Sequence, residues 1–136
     1  MTPTRIPLWL SPLTVYAADI LLTLAGQPAE YWAGDHSTVR EANPLAAGLL
    51  VIHPAAFVAA AVVWATVFLL LIRTGRPWAV VVAFVLTVGH AVGAASWLMR
   101  FGPAGWVGGI SVLVVAERLW SRSRLTGQSV VANSTA

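Results

Sequence analysis

Apolar residues gather in four runs, roughly Leu8 to Ala25, Pro44 to Ile72, Trp78 to Met99 and Pro103 to Trp120, with short polar connections between them. A bilayer span takes about 20 predominantly apolar residues, so this pattern predicts four transmembrane helices at about 8–26, 54–73, 78–99 and 103–121. The fold class expected is all-α, a polytopic four-transmembrane-helix bundle over residues 1–125 with a Pro-broken second helix. The remaining stretch, 126–136 ("TGQSVVANSTA"), is small and polar and reads as a disordered tail.

The second run is too long for one span. From Pro44 to Arg73 it would measure about 45 Å as a helix, half again the hydrocarbon thickness. Pro54 interrupts it, because a proline inside a helix removes a hydrogen bond and clashes with the preceding turn. The expectation is a short helix at the outer face, about 43–53, then the span proper from Pro54, with His53 at the joint.

The head of that run fixes where the short helix starts. Thr38 and Glu41 fit a T-x-x-E capping box, but a helix capped at Thr38 would carry Pro44 in its interior, at a cost of about 3 kcal/mol. Asn43 as the N-cap with Pro44 at the first helical position is the better start. Glu41 then has no local capping duty and calls for another partner.

Composition confirms the setting. Of 136 residues, 58% are hydrophobic and only 10% charged, against about 25% charged in soluble domains. There is no cysteine, which excludes disulfides, thiolate metal sites and cysteine nucleophiles. All eight basic residues are arginine and most flank the apolar runs, so they read as topology signals and headgroup contacts, not as a nucleic-acid surface. The partner expected is the lipid bilayer, with a second copy or another membrane protein beside it. Asp19 interrupts the first run, which favours a retained span over a cleaved signal peptide.

Arg5, Arg73, Arg76, Arg118, Arg122 and Arg124 fall at the N-terminus, the second connection and the C-terminus, while Arg40 and Arg100 fall in the other two connections. That asymmetry places both termini in the cytoplasm of a prokaryotic, multi-pass cell-membrane protein. Trp9, Trp32, Trp78, Trp106 and Trp120 sit near the expected interfaces, where an amphipathic ring is favoured. Glu117 beside Arg118 reads as a surface ion pair.

Polar residues inside the spans are the candidates for chemistry. Tyr16, Asp19 and Thr23 share one face of the first helix, and Thr87 and His90 share one face of the third. Counted from the cytoplasmic ends, Asp19 and His90 lie at similar depth, about 16 to 18 Å in. Either one alone in lipid would cost at least about 2 to 3 kcal/mol, so they are expected to face each other. Gly89 and Gly93, and Gly105, Gly108 and Gly109, read as close-packing surfaces between helices.

Asp19, Glu41, His53 and His90 make a candidate metal set, two carboxylates and two imidazoles suited to zinc or another divalent ion, although their spacing matches no metal signature. Tyr16, Thr23, Asn43 and Thr87 complete the polar constellation, and His36 in the first outer loop is a further candidate.

Asp19 and Thr23 in the first span, the E-x-N-P-L of Glu41, Asn43, Pro44 and Leu45 at the head of the second, and a histidine in the third together resemble a family of small four-helix membrane proteins of bacteria and archaea, domain of unknown function 5658. The resemblance covers Tyr16 to Trp97 and implies a compact bundle with Asp19, Glu41 and Asn43 as signature positions. It implies no activity. Of three functions the constellation admits, a binding or structural membrane protein with an intramembrane polar site ranks first. A proton- or cation-coupled transporter or channel subunit ranks second, and a metal-dependent intramembrane enzyme third, since no serine or cysteine nucleophile set is present.

Overall fold

The computed structural model describes the backbone of residues 6–134 and the side chains through Arg124. Arg5, used above as a topology signal, lies outside the described residues. The described residues form helices and no strand, with α1 at Leu10–Ala25, α2 at Ala29–Trp32, α3 at Pro44–Ile52, α4 at Pro54–Arg73, α5 at Pro77–Met99 and α6 at Gly102–Ser134. A single 3-10 turn, His36–Thr38, joins α2 to the approach to α3.

Prolines begin three of these helices. Pro44, Pro54 and Pro77 each occupy a first-turn position, where a missing N–H costs nothing. Asn43 caps α3: its Oδ1 accepts from the backbone N–H of Leu45 at 3.0 Å and of Ala46 at 3.4 Å. His53 is extended, with φ −177° and ψ 143°, and belongs to neither helix, closing α3 and opening α4. The long second run is therefore two helices joined at one residue.

Among the described residues two helices, α4 and α5, are long and apolar enough to cross a membrane. The sequence pattern predicts four, and the difference has two causes. α1 has 16 residues, short of a full span, because its helix starts only at Leu10. α6 loses mean hydropathy to its glycines and to Glu117 and Arg118. The tail expected from Thr126 falls on residues whose side chains lie outside the described ones.

α5 is central, with α1 and α6 packed closely on it and α4 touching it more sparingly. The close packing comes from an alanine stripe. Ala79, Ala83, Thr87, Ala91 and Ala94 recur every three or four residues along α5, and all are buried. Small side chains let helix backbones approach closely, so this stripe seats α5 among its neighbours, with Gly93 adding a close approach to α1. Val15, Ala91 and Ala116 form the point where α1, α5 and α6 meet. Tyr31, Leu50 and Phe57 form a second cluster, closed by Ile20, Leu24 and Leu49. The Tyr31 hydroxyl donates to the Leu50 carbonyl at 3.0 Å and pins α2 onto α3.

Candidate functional site

Asp19 leaves the middle of α1 and His90 the middle of α5, and they meet: His90 Nδ1 and Asp19 Oδ2 are 2.9 Å apart. Their side chains keep 26% and 17% of their exposure, so the pair is mostly enclosed. Nδ1 is the ring nitrogen that faces the carboxylate, which leaves Nε2 available to anything else.

The surroundings are fitted to this pair. A Cβ at Gly93 would come within 2.7 Å of the Asp19 carboxylate oxygens, so glycine there makes the space Asp19 occupies. Tyr16, one turn from Asp19, sets the edge of its ring against the imidazole, with centroids 4.5 Å apart. Its hydroxyl donates to the Ala61 carbonyl at 2.9 Å, which ties α1 to the loosely packed α4. Gly89 differs from Gly93. Nothing lies within 4 Å of where its Cβ would stand, because it faces open space.

That space is a cavity of about 650 Å³ between α1, α4 and α5. Tyr16, Asp19, Thr23 and His90 line its middle. Glu41, Asn43, Ser96 and Arg100 line its mouth, at the C-terminal end of α5, and Trp64, Phe68, Val85 and Leu86 its far end. Trp64 is 55% and Val85 61% exposed, so the far part opens sideways between α4 and α5.

At the mouth, Glu41 Oε1 accepts from the backbone N–H of Asn43 at 2.8 Å, so the glutamate braces the turn into α3 with one oxygen. Arg100 lays its guanidinium over the Trp97 ring, 3.9 Å from its centre. Trp97 is itself buried against Gly26, where any Cβ would collide with the ring. The ion pairs among the described residues are His90 with Asp19 and Arg118 with Glu117, so Glu41 and Arg100 carry opposite charges at one mouth without a charged partner.

Gln27 is a positioning residue that the sequence pattern does not single out. Its amide nitrogen donates to the Thr23 carbonyl at 2.8 Å and the Arg40 carbonyl at 3.3 Å, and its Oε1 accepts from the Arg40 N–H at 2.8 Å. One buried amide thus clamps the loop immediately before Glu41 to the end of α1. Glutamine among loop residues carries no local signal, because its partner lies 13 residues on.

Two expected members fall outside the cavity. Thr87 points into the α1 contact, where its hydroxyl donates to the Ala83 carbonyl at 2.7 Å and lies 3.3 Å from the Ser11 hydroxyl. Thr87 and His90 both face α1, the one against Ser11 and the other against Asp19, but only His90 lines the cavity. His53 is used locally: its Nδ1 accepts from the Ala55 N–H at 3.0 Å, capping α4. A neutral imidazole has one acceptor nitrogen, and that one is taken, so Nε2 carries the proton and His53 holds no lone pair for a metal in this state. His36 packs near it, ring centres 5.4 Å apart, and does not line the cavity either. Among the described residues, no three His, Cys, Asp or Glu side chains converge to hold a metal ion, and the four-residue set does not assemble.

Comparison with protein-family models, with curated proteins and with solved structures finds no match for the chain.

Proposed function

We propose that this chain is a small multi-pass integral membrane protein that binds a ligand in the cavity between α1, α4 and α5, with Asp19 and His90 as the polar centre of the site. The observation that carries the reading is the 2.9 Å Asp19–His90 contact in the wall of that cavity, with glycine at position 93 making room for it. A buried ionisable pair is costly to maintain as mere glue between helices, and an apolar pocket with few convergent polar groups is the usual form of a ligand site.

Several features support residence in the membrane. α4 and α5 are apolar yet mostly unburied, with only 17% and 33% of their most apolar stretches covered by the protein, the reverse of a soluble core helix. Val107, Ile110 and Val114 share one face of α6 and are more than half exposed, so α6 also presents an apolar surface that water would not tolerate. α1 and α6 then complete four spans. The arginine asymmetry puts both termini in the cytoplasm of a prokaryotic cell and the mouth of the cavity outside. Membership of domain of unknown function 5658 belongs to the same proposal, supported by its signature positions Asp19, Glu41 and Asn43 lining one cavity.

The chain has no cysteine, which makes single-cysteine labelling the natural test. Ala33→Cys and Phe101→Cys are expected to react with an impermeant maleimide on intact cells, and Thr74→Cys only after lysis. Leu86→Cys, in the cavity, is expected to react with a small permeant maleimide while Ala83→Cys, on the buried stripe, does not. Equal inertness of both would overturn the binding reading and favour a purely structural protein.

A further inference from the structure

The cavity is a trough and not a sphere. Along α5 it runs from Val85 to Arg100, a distance of about 22 Å at 1.5 Å per residue. Spread over that length, a volume of about 650 Å³ makes a long trough that suits an extended hydrocarbon chain. Its polarity is graded along that length. The inner end is walled by Trp64, Phe68, Val85 and Leu86, the middle holds the already paired Asp19 and His90, and the outer mouth holds the two unpaired charges, Glu41 and Arg100.

We infer that the ligand is a single-chain zwitterionic amphiphile, a lysophospholipid in chemical class, with its cationic group on Glu41, its phosphate on Arg100 and its tail running inward past the Asp19–His90 pair. This rests on the binding reading above. Charge complementarity selects the head. One carboxylate oxygen of Glu41 is held by the Asn43 N–H, which fixes the group and leaves the second oxygen to accept from an ammonium. Arg100 is held flat on Trp97, so its fork of donors is pre-set for an oxyanion. A ligand of one sign would satisfy one of these groups and leave the other unpaired, and a neutral head would satisfy neither. The lateral opening beside Trp64 and Val85 is the route by which a lipid tail enters without crossing the polar mouth.

The test is native mass spectrometry of the detergent-purified full chain titrated with four single-chain probes: lysophosphatidylethanolamine, lysophosphatidylglycerol, an alkyltrimethylammonium and a monoacylglycerol. A one-to-one adduct is expected with the phosphoethanolamine at concentrations about tenfold below the other three, the worth of one charge-assisted hydrogen bond. Gly89→Leu fills the trough from a position with open space around it and is expected to abolish the adduct. Glu41→Gln is expected to shift preference toward the anionic probe and Arg100→Gln toward the cationic one.

Equal binding of all four probes, blocked by Gly89→Leu but indifferent to Glu41→Gln and Arg100→Gln, would overturn the zwitterionic assignment while leaving the cavity as a binding site. Adducts that survive Gly89→Leu would place the lipid elsewhere and overturn the inference. No adduct with any probe would overturn it too, and the reactivity of Leu86→Cys then decides separately whether the cavity binds something else.

Discussion

Asp19 and His90, 71 positions apart, share a 2.9 Å hydrogen bond across the α1–α5 interface, and the residue that makes it possible is a third one, Gly93, whose absent side chain is the space the carboxylate fills. The contact reaches a third element, because Tyr16 packs on the same imidazole and donates to the Ala61 carbonyl of α4.

The two glycines of α5 are therefore expected to behave oppositely. Gly93→Ala forces a Cβ to within 2.7 Å of Asp19 and should destabilise the protein by about 1 to 3 kcal/mol, as overpacking does. Gly89→Ala meets nothing and should be neutral or stabilising by up to about 1 kcal/mol through helix propensity. Thermal unfolding in detergent measures both, and Asp19→Ala should make Gly93→Ala harmless.

Asp19→Asn and His90→Gln are expected to be non-additive. The coupling should lie between about 0.6 and 1.7 kcal/mol, the range of polar contacts within membranes. A double-mutant cycle on unfolding reads it directly, and simple additivity would show that the contact is energetically empty.

Gln27→Leu removes three hydrogen bonds and leaves the Arg40 N–H and C=O without partners, at a cost of about 1 to 3 kcal/mol. The functional sign is that the loop before Glu41 loosens. A cysteine placed at Ala42 should label faster in the Gln27→Leu background than in the otherwise unaltered chain.

His53 acts through its cap. His53→Asn retains a side-chain acceptor for the Ala55 N–H and should keep the α3–α4 joint, whereas His53→Ala should cost about 1 kcal/mol. Hydrogen exchange at the first turn of α4 distinguishes them, and equal protection in both variants would remove the cap from the account.

Alkaline pH should release the outer cluster. Burial pushes the Tyr31 phenol above its ordinary value of 10.0. The folded state thus holds that proton more tightly than the unfolded one. Its contribution is complete below pH 10 and declines as pH rises through the higher folded value. Tyr31→Phe should flatten this alkaline loss, as read by helical circular dichroism against pH.

The sequence by itself determined the helices and their punctuation. Apolar run lengths mark α4 and α5, and Asn43 with Pro44, and Pro54 with His53, mark the break between α3 and α4, because caps and prolines act on the residues next to them. It also determined that Asp19 and His90 would seek each other, since equal depth and the penalty for a lone charge are legible from spacing. Tertiary structure decided what spacing does not encode. It left Thr87 outside the cavity that His90 lines, spent the one acceptor nitrogen of His53 on a cap, and gave Gly93 to Asp19 while leaving Gly89 open. It also brought Gln27 to Arg40 and put Glu41 and Arg100 at one mouth. These depend on which helix faces which, and that is settled by the alanine stripe of α5, whose fit to α1 and α6 is a property of three surfaces together.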